Sequence, residues 1–105
     1  MTLGVLLLLA AADDSVRLYP GYVSRIQCEG KLLVSSVGNE SLVRLEALPR
    51  ELGCGVLLKP VGPAGRTNLI LETSTGTIER VIEVAPPKGS PAQGDLHFRL
   101  KGVTS

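Results

Sequence analysis

The fold class is decided by Gly55-Val56-Leu57-Leu58-Lys59-Pro60, a Pro/Gly loop, Thr67-Asn68-Leu69-Ile70-Leu71-Glu72-Thr73, the turn Ser74-Thr75-Gly76, and Thr77-Ile78-Glu79-Arg80-Val81-Ile82-Glu83-Val84. Turn formers separate three short runs of aliphatic residues and leave no room for a helix of about ten residues. Val56 to Lys59, Asn68 to Thr73 and Thr77 to Val84 therefore read as strands. In the last run Ile78, Arg80, Ile82 and Val84 fall on one side, and Thr77, Glu79, Val81 and Glu83 on the other. Ser74-Thr75-Gly76 is short enough to fold the second run back on the third as a hairpin, with Gly76 free to take a positive φ. The result is an antiparallel unit whose side chains offer no evident chemistry.

The same alternation extends upstream. Asp13 to Tyr19 places Val16 and Leu18 opposite Ser15, Arg17 and Tyr19, and ends at the turn Pro20-Gly21. Tyr22 to Cys28 sets Tyr22, Ser24, Ile26 and Cys28 against Val23, Arg25 and Gln27. After Glu29-Gly30, Lys31 to Val37 reads as a strand with Leu33 and Val37 facing away from Leu32 and Val34. Leu42, Leu45 and Leu48 fit either a helical turn or a strand; a strand from Ser41 to Ala47 is preferred, ended by Pro49. Downstream, residues 85–95 hold three Pro and two Gly without a large apolar side chain, the composition of a linker. Leu96, Phe98 and Leu100 then share one face of a tail strand that must return to the sheet or pair with another chain.

With 105 residues, 12 Gly, 7 Pro, no Trp and only Tyr19, Tyr22 and Phe98 as aromatics, the chain supports one domain with a thin aliphatic core. The expected fold is all-β, a small antiparallel sandwich, Ig-like, of about seven strands. Residues 13–84 form its body, 85–95 the linker and 96–105 the tail. Eleven basic and ten acidic residues are interspersed, for a net charge of +1. No basic stripe of the kind that carries phosphate binding is visible, and no basic amphipathic stretch suits a membrane-surface helix.

Residues 1–12 are apolar and too few to span a bilayer, which takes about 20. They fit the apolar region of a secretory signal, with Ala10-Ala11-Ala12 as the cleavage region, although no Lys or Arg precedes them. A weak signal, a true start further upstream and a buried first strand remain the alternatives. If the chain is exported, Cys28 and Cys54 are expected to form a disulfide closing a loop of about 26 residues, worth ~3 kcal/mol in the loop-entropy model. Otherwise they are two buried thiols.

Nothing in the sequence assembles a catalytic set. A nucleophile and base pair needs an imidazole or amine held by a third group, and the single histidine, His97, sits opposite the apolar stripe of the tail strand, as a solvent-facing residue does. Asp13-Asp14 lies at the chain start, and Glu79 and Glu83 are alternate residues on an exposed strand face. Gly62-Pro63-Ala64-Gly65-Arg66 lacks the Lys-Ser/Thr ending and the helix of a phosphate cradle. Asn39-Glu40-Ser41 matches a glycosylation acceptor only as a short chance pattern. Two cysteines and one histidine cannot fill a zinc site. No enzyme, metal or cofactor is expected.

Taken in order, Tyr19-Pro20-Gly21-Tyr22-Val23-Ser24-Arg25-Ile26, Gly38-Asn39-Glu40, Val56-Leu57-Leu58-Lys59-Pro60 and Thr67-Asn68-Leu69-Ile70-Leu71-Glu72-Thr73 resemble the N-terminal β-sandwich of the outer-membrane-complex proteins of type IV secretion and conjugation channels. Gly65-Arg66-Thr67-Asn68-Leu69 also resembles the pilus-formation domain at the N-terminus of secretins. The resemblance implies a periplasmic, envelope-associated structural component in a Gram-negative bacterium. Its partners would be other apparatus proteins, such as a lipoprotein or secretin, or further copies of itself. The motif residues Lys59, Pro60, Thr67, Asn68 and Leu69, with Leu96, Phe98 and Leu100 of the tail, are the expected interaction positions. Pro60 would open the strand end, Asn68 would bond the opened loop, and the tail strand would be available for donation to a neighbour. An exported stand-alone binding or adhesin-like module is the alternative. A small barrel binding single-stranded nucleic acid is a weaker one, because it would need more aromatics for base stacking.

Overall fold

Period-2 burial builds two sheets whose inner faces meet. The computed structural model describes residues 15–100; the apolar opening 1–12, Asp13-Asp14 and the last five residues lie outside them. Eight strands follow in order: β1 (Ser15–Leu18), β2 (Ser24–Gln27), β3 (Leu32–Val37), β4 (Val43–Ala47), β5 (Gly55–Pro60), β6 (Gly65–Thr73), β7 (Gly76–Val84) and β8 (His97–Arg99). One sheet has the order β1-β7-β6-β3 and the other β4-β5-β2-β8. Val16 and Leu18 face inward beside Ile82 and Val84, and Leu69 and Leu71 complete that sheet's inner surface. Ile26, Val43, Val56 and Leu58 face them from the other. Each such aliphatic side chain contributes about 1.5–3 kcal/mol on leaving water.

The hairpin β6–β7 runs in continuous antiparallel register from Gly65 opposite Val84 to Thr73 opposite Gly76, where φ is 147°. Its two-residue turn is held at both ends. Thr73 Oγ1 donates to Gly76 O at 2.9 Å and accepts from Thr75 N at 3.2 Å. Ser74 exchanges bonds with Lys31 through N to O at 2.9 Å and Oγ from N at 2.8 Å. Gly30 lies so close to Ser74 Oγ that a side chain there would collide with it, and its φ of 80° also favours glycine.

Several expectations are corrected. The sandwich has eight strands and is not wholly antiparallel, since β1 runs parallel to β7 and β8 parallel to β2. Alternation says which side chains point inward, but an edge strand meets that demand in either direction. β3 carries an irregularity at Leu33, because Leu32 pairs with Thr73 and Val34 with Glu72. The extra residue resets the parity, so Leu33 and Val34 are both exposed while Leu32 and Val37 turn inward. β4 begins at Val43 rather than Ser41. Asn39 holds the preceding turn, its Oδ1 accepting from Ser41 N at 2.9 Å and its carbonyl from Leu42 and Val43 N at 3.1 Å. Leu96 belongs to a 3-10 turn, Gln93–Leu96, in which Asp95 accepts from Ala92 N at 3.0 Å, so the last strand starts at His97.

Cys28 and Cys54 form a disulfide, 26 residues apart in sequence, that staples the end of β2 to the start of β5 where Cys28 N also donates to Cys54 O at 3.0 Å. Replacing both cysteines by serine should lower unfolding stability by about 3 kcal/mol in urea titration, and reductant should do the same to the parent chain. Ser24, fully buried on the inner face of β2, has an Oγ with no hydrogen-bond partner among the described residues. A buried unpaired hydroxyl costs about 1–3 kcal/mol, so Ser24→Ala should leave stability unchanged or raise it by about 1 kcal/mol in the same titration.

Candidate functional site

The motif residues are divided between the two sheets. Lys59 and Pro60 end β5 beside β4; Lys59 Nζ meets Glu46 Oε1 at 3.4 Å on the surface, and Pro60 pairs with Val43 beyond the end of β2. The chain then bends over Leu42, whose carbonyl accepts from Val61 N at 2.7 Å and Gly62 N at 3.2 Å. Thr67 and Leu69 face inward from β6, and Leu69 is fully buried. Asn68 points outward, but its carbonyl accepts from Gly38 N at 3.0 Å, and a side chain at Gly38 would collide with Asn68 Oδ1. The Asn68 side chain, expected to bond the loop opened at Pro60, lies instead against the connection between β3 and β4. The Gly38-Asn39 turn and the Thr-Asn-Leu strand, separate signals in the sequence, come together in space. The Lys-Pro strand end does not join them.

The tail closes on its own chain. Phe98 lies opposite Ile26 and packs half-buried on the core, and Leu100 N donates to Gln27 O at 2.8 Å. Availability for donation is corrected accordingly: β8 covers the edge of β2, which would otherwise leave unpaired backbone groups in water. His97 is exposed and stands opposite Arg25. Among the described residues no group of three or more His, Cys, Asp or Glu could hold a metal ion.

What the fold leaves open is a flank. β3 and β4, consecutive in the chain but in different sheets, are both edge strands, and they face each other across the side of the sandwich. At one end of this flank a groove of about 460 Å³ is lined by Lys31, Leu32, Leu33, Ala47, Leu48 and Arg50. At the other end a more polar hollow of about 410 Å³ is lined by residues including Ser35, Ser36, Glu40 and Arg44. Leu33 is 65% exposed beside the groove, and Leu52, in the 3-10 turn Arg50–Leu52, is 57% exposed. An edge strand offers backbone donors and acceptors to an incoming strand, and the groove offers an apolar seat with a basic rim. No periodicity in the sequence marked this site. Leu33 and Leu52 look like ordinary core residues until the irregularity in β3 and the turn after β4 turn them outward.

The outer face of the other edge carries an ionic cluster. Glu83 on β7 meets Arg17 of β1 at 2.9 Å and Arg66 of β6 at 3.6 Å. The hydrogen bond and charge of Arg17, then the charge of Arg66, hold the Glu83 carboxyl below its ordinary range. A depressed carboxylate adds stability that is present above its unfolded pKa and lost as pH falls through its folded one. Side-chain NMR titration should therefore find Glu83 titrating below the ordinary range of a glutamate, and Arg17→Gln should move it back up.

No protein-family model matches the chain and no curated protein matches it, so the family resemblance rests on the motif residues themselves.

Proposed function

We propose that the protein is a non-enzymatic structural component of a secretion, conjugation or pilus apparatus, working in the periplasm or at the envelope through protein–protein assembly. The observation that carries this reading is the open β3/β4 flank, where two edge strands border an apolar groove with Lys31 and Arg50 at its rim. An extended segment of a neighbouring subunit adds to one edge by main-chain hydrogen bonds and seats alternate apolar side chains in the groove. The order of the motif residues along the chain is what suggests the apparatus assignment, and a disulfide is at home in an oxidising compartment. The partner is another apparatus protein, such as a lipoprotein or secretin, or a further copy of the chain.

An exported, self-sufficient binding module is the second reading. It is favoured by β8, which completes the second sheet from within the same chain. The two readings differ in what occupies the flank in the cell. A photo-crosslinking residue placed at Leu33 or Leu52 should capture envelope-assembly subunits in intact cells, whereas one at Thr77, on the outer face of β7, should not. Leu33→Asp should reduce the captured complex at least tenfold with no loss of thermal stability, because Leu33 is exposed. Equal capture from all three positions, or recovery only of monomer, would remove the assembly reading.

A further inference from the structure

Alternation along the strands of the second sheet sorts charge as well as hydrophobicity. The outward positions are Arg44 and Glu46 on β4, Leu57 and Lys59 on β5, Arg25 and Gln27 on β2, and His97 and Arg99 on β8. Four permanent cations thus share one face with a single carboxylate. The register sets Arg44 opposite Lys59, Leu57 opposite Arg25, Arg25 opposite His97 and Gln27 opposite Arg99. Like charges directly opposite one another destabilise a sheet, and only one of these cations is relieved by an acid, in the pair between Lys59 and Glu46. Arg25 and Arg44 have no carboxylate within ion-pairing distance among the described residues, and Arg25 Nε is buried with no partner. Arg99 reaches only the Gln27 side-chain oxygen, at 3.5 Å. The outer face of the first sheet differs: Arg17 and Arg66 there are matched by Glu72, Glu79 and Glu83, and both pair with Glu83.

A second feature adjoins the basic face. Ser24 lies opposite Leu58 and Pro60 opposite Val43, so the chain before β2 and the chain after β5 leave the sheet at one end, beside the Arg44–Lys59 row. The residues at that end are Tyr22, Val23 and Val61, which are 37%, 45% and 55% exposed. Tyr22 stands on the turn closed by its N–H to Tyr19 O at 3.1 Å.

We infer that this face is a peripheral docking surface for an anionic lipid bilayer. The four cations meet the phosphate headgroups, and Tyr22, Val23 and Val61 dip into the interfacial zone. The requirements of a bilayer are the ones met: several cations in one plane without a fixed spacing, and apolar side chains at the rim, one of them an aromatic with a polar tip. Single-stranded nucleic acid asks instead for aromatic platforms among the cations, and no outward residue of the face is aromatic, since Phe98 points into the core. A duplex asks for an element that enters a groove, and this face is a sheet surface. The face borders the flank at Arg44, which also lines the polar hollow there, but the inference requires neither the apolar groove nor its partner.

The test is co-sedimentation of the full chain with vesicles of phosphatidylcholine alone and of phosphatidylcholine mixed with phosphatidylglycerol, with duplex and single-stranded DNA compared by anisotropy in the same buffer. Binding is expected to the anionic vesicles only and to fall steeply as salt rises. Arg44→Gln and Arg99→Gln should each weaken it about fivefold, and together about 25-fold. Arg66→Gln, which removes the same charge from the opposite face, should leave it unchanged, and Val61→Ser should weaken the part of the binding that survives high salt. Circular dichroism of each variant confirms that the fold is kept. No binding, equal binding to both vesicle types, an equal effect of Arg66→Gln, or tighter binding to either DNA would overturn the inference.

Discussion

The contact on which everything else depends is the meeting of two aliphatic sheet faces with no aromatic residue between the central strands. Leu18, Ile26, Leu58, Leu69, Leu71, Ile78 and Ile82 are fully buried, and the valines Val16, Val43, Val56 and Val84 fill the spaces between them. A chain this short has a high ratio of surface to volume, and branched aliphatic side chains bury less area each than aromatics do. The margin is therefore small. Three features reinforce it: the disulfide between the ends of β2 and β5, and the two short strands β1 and β8, each paired in parallel at the rim of a sheet.

Because the inner faces are committed to the core, any partner must use an edge or an outer face. β1 and β8 lie at two of the four sheet edges, and the other two, β3 and β4, lie together on the open flank. The irregularity in β3 has a double consequence there. It twists the edge, which discourages indiscriminate pairing, and it exposes Leu33 and Val34 in succession, which gives a partner something apolar to grip. The outer faces differ in kind. One has its arginines paired with Glu83 and the other leaves most of its cations without a carboxylate, so the molecule presents dissimilar surfaces in opposite directions.

Much of this architecture was legible from residue order. Strict alternation from Thr77 to Val84 and the Ser74-Thr75-Gly76 turn predict the β6–β7 hairpin and the inward set of β7 correctly, because a one-residue slip would expose Ile78 and Ile82. The inward faces of β1 and β2 follow from the same rule, as does the exposure of His97. The strand directions of β1 and β8 were not legible, since their partners lie over sixty residues away in the chain and the alternation is blind to polarity. Nor was the reversal of parity in β3, where Leu32-Leu33-Val34 has no polar residue to reveal which member is extra. The flank escaped notice for that reason, and the meeting of Asn68 with Gly38 because it joins a turn to a strand distant in the chain.

By itself the sequence determined that the protein is a small aliphatic β-sandwich with a turn every few residues, because side-chain periodicity and turn chemistry are local properties of the chain. Only the tertiary structure decided that Cys28 sits against Cys54, that the tail strand completes its own sheet, and that cations scattered from Arg25 to Arg99 share a face. The physical reason is that strand pairing joins residues at arbitrary sequence separation, so a charge pattern evenly mixed along the chain becomes unevenly distributed in space.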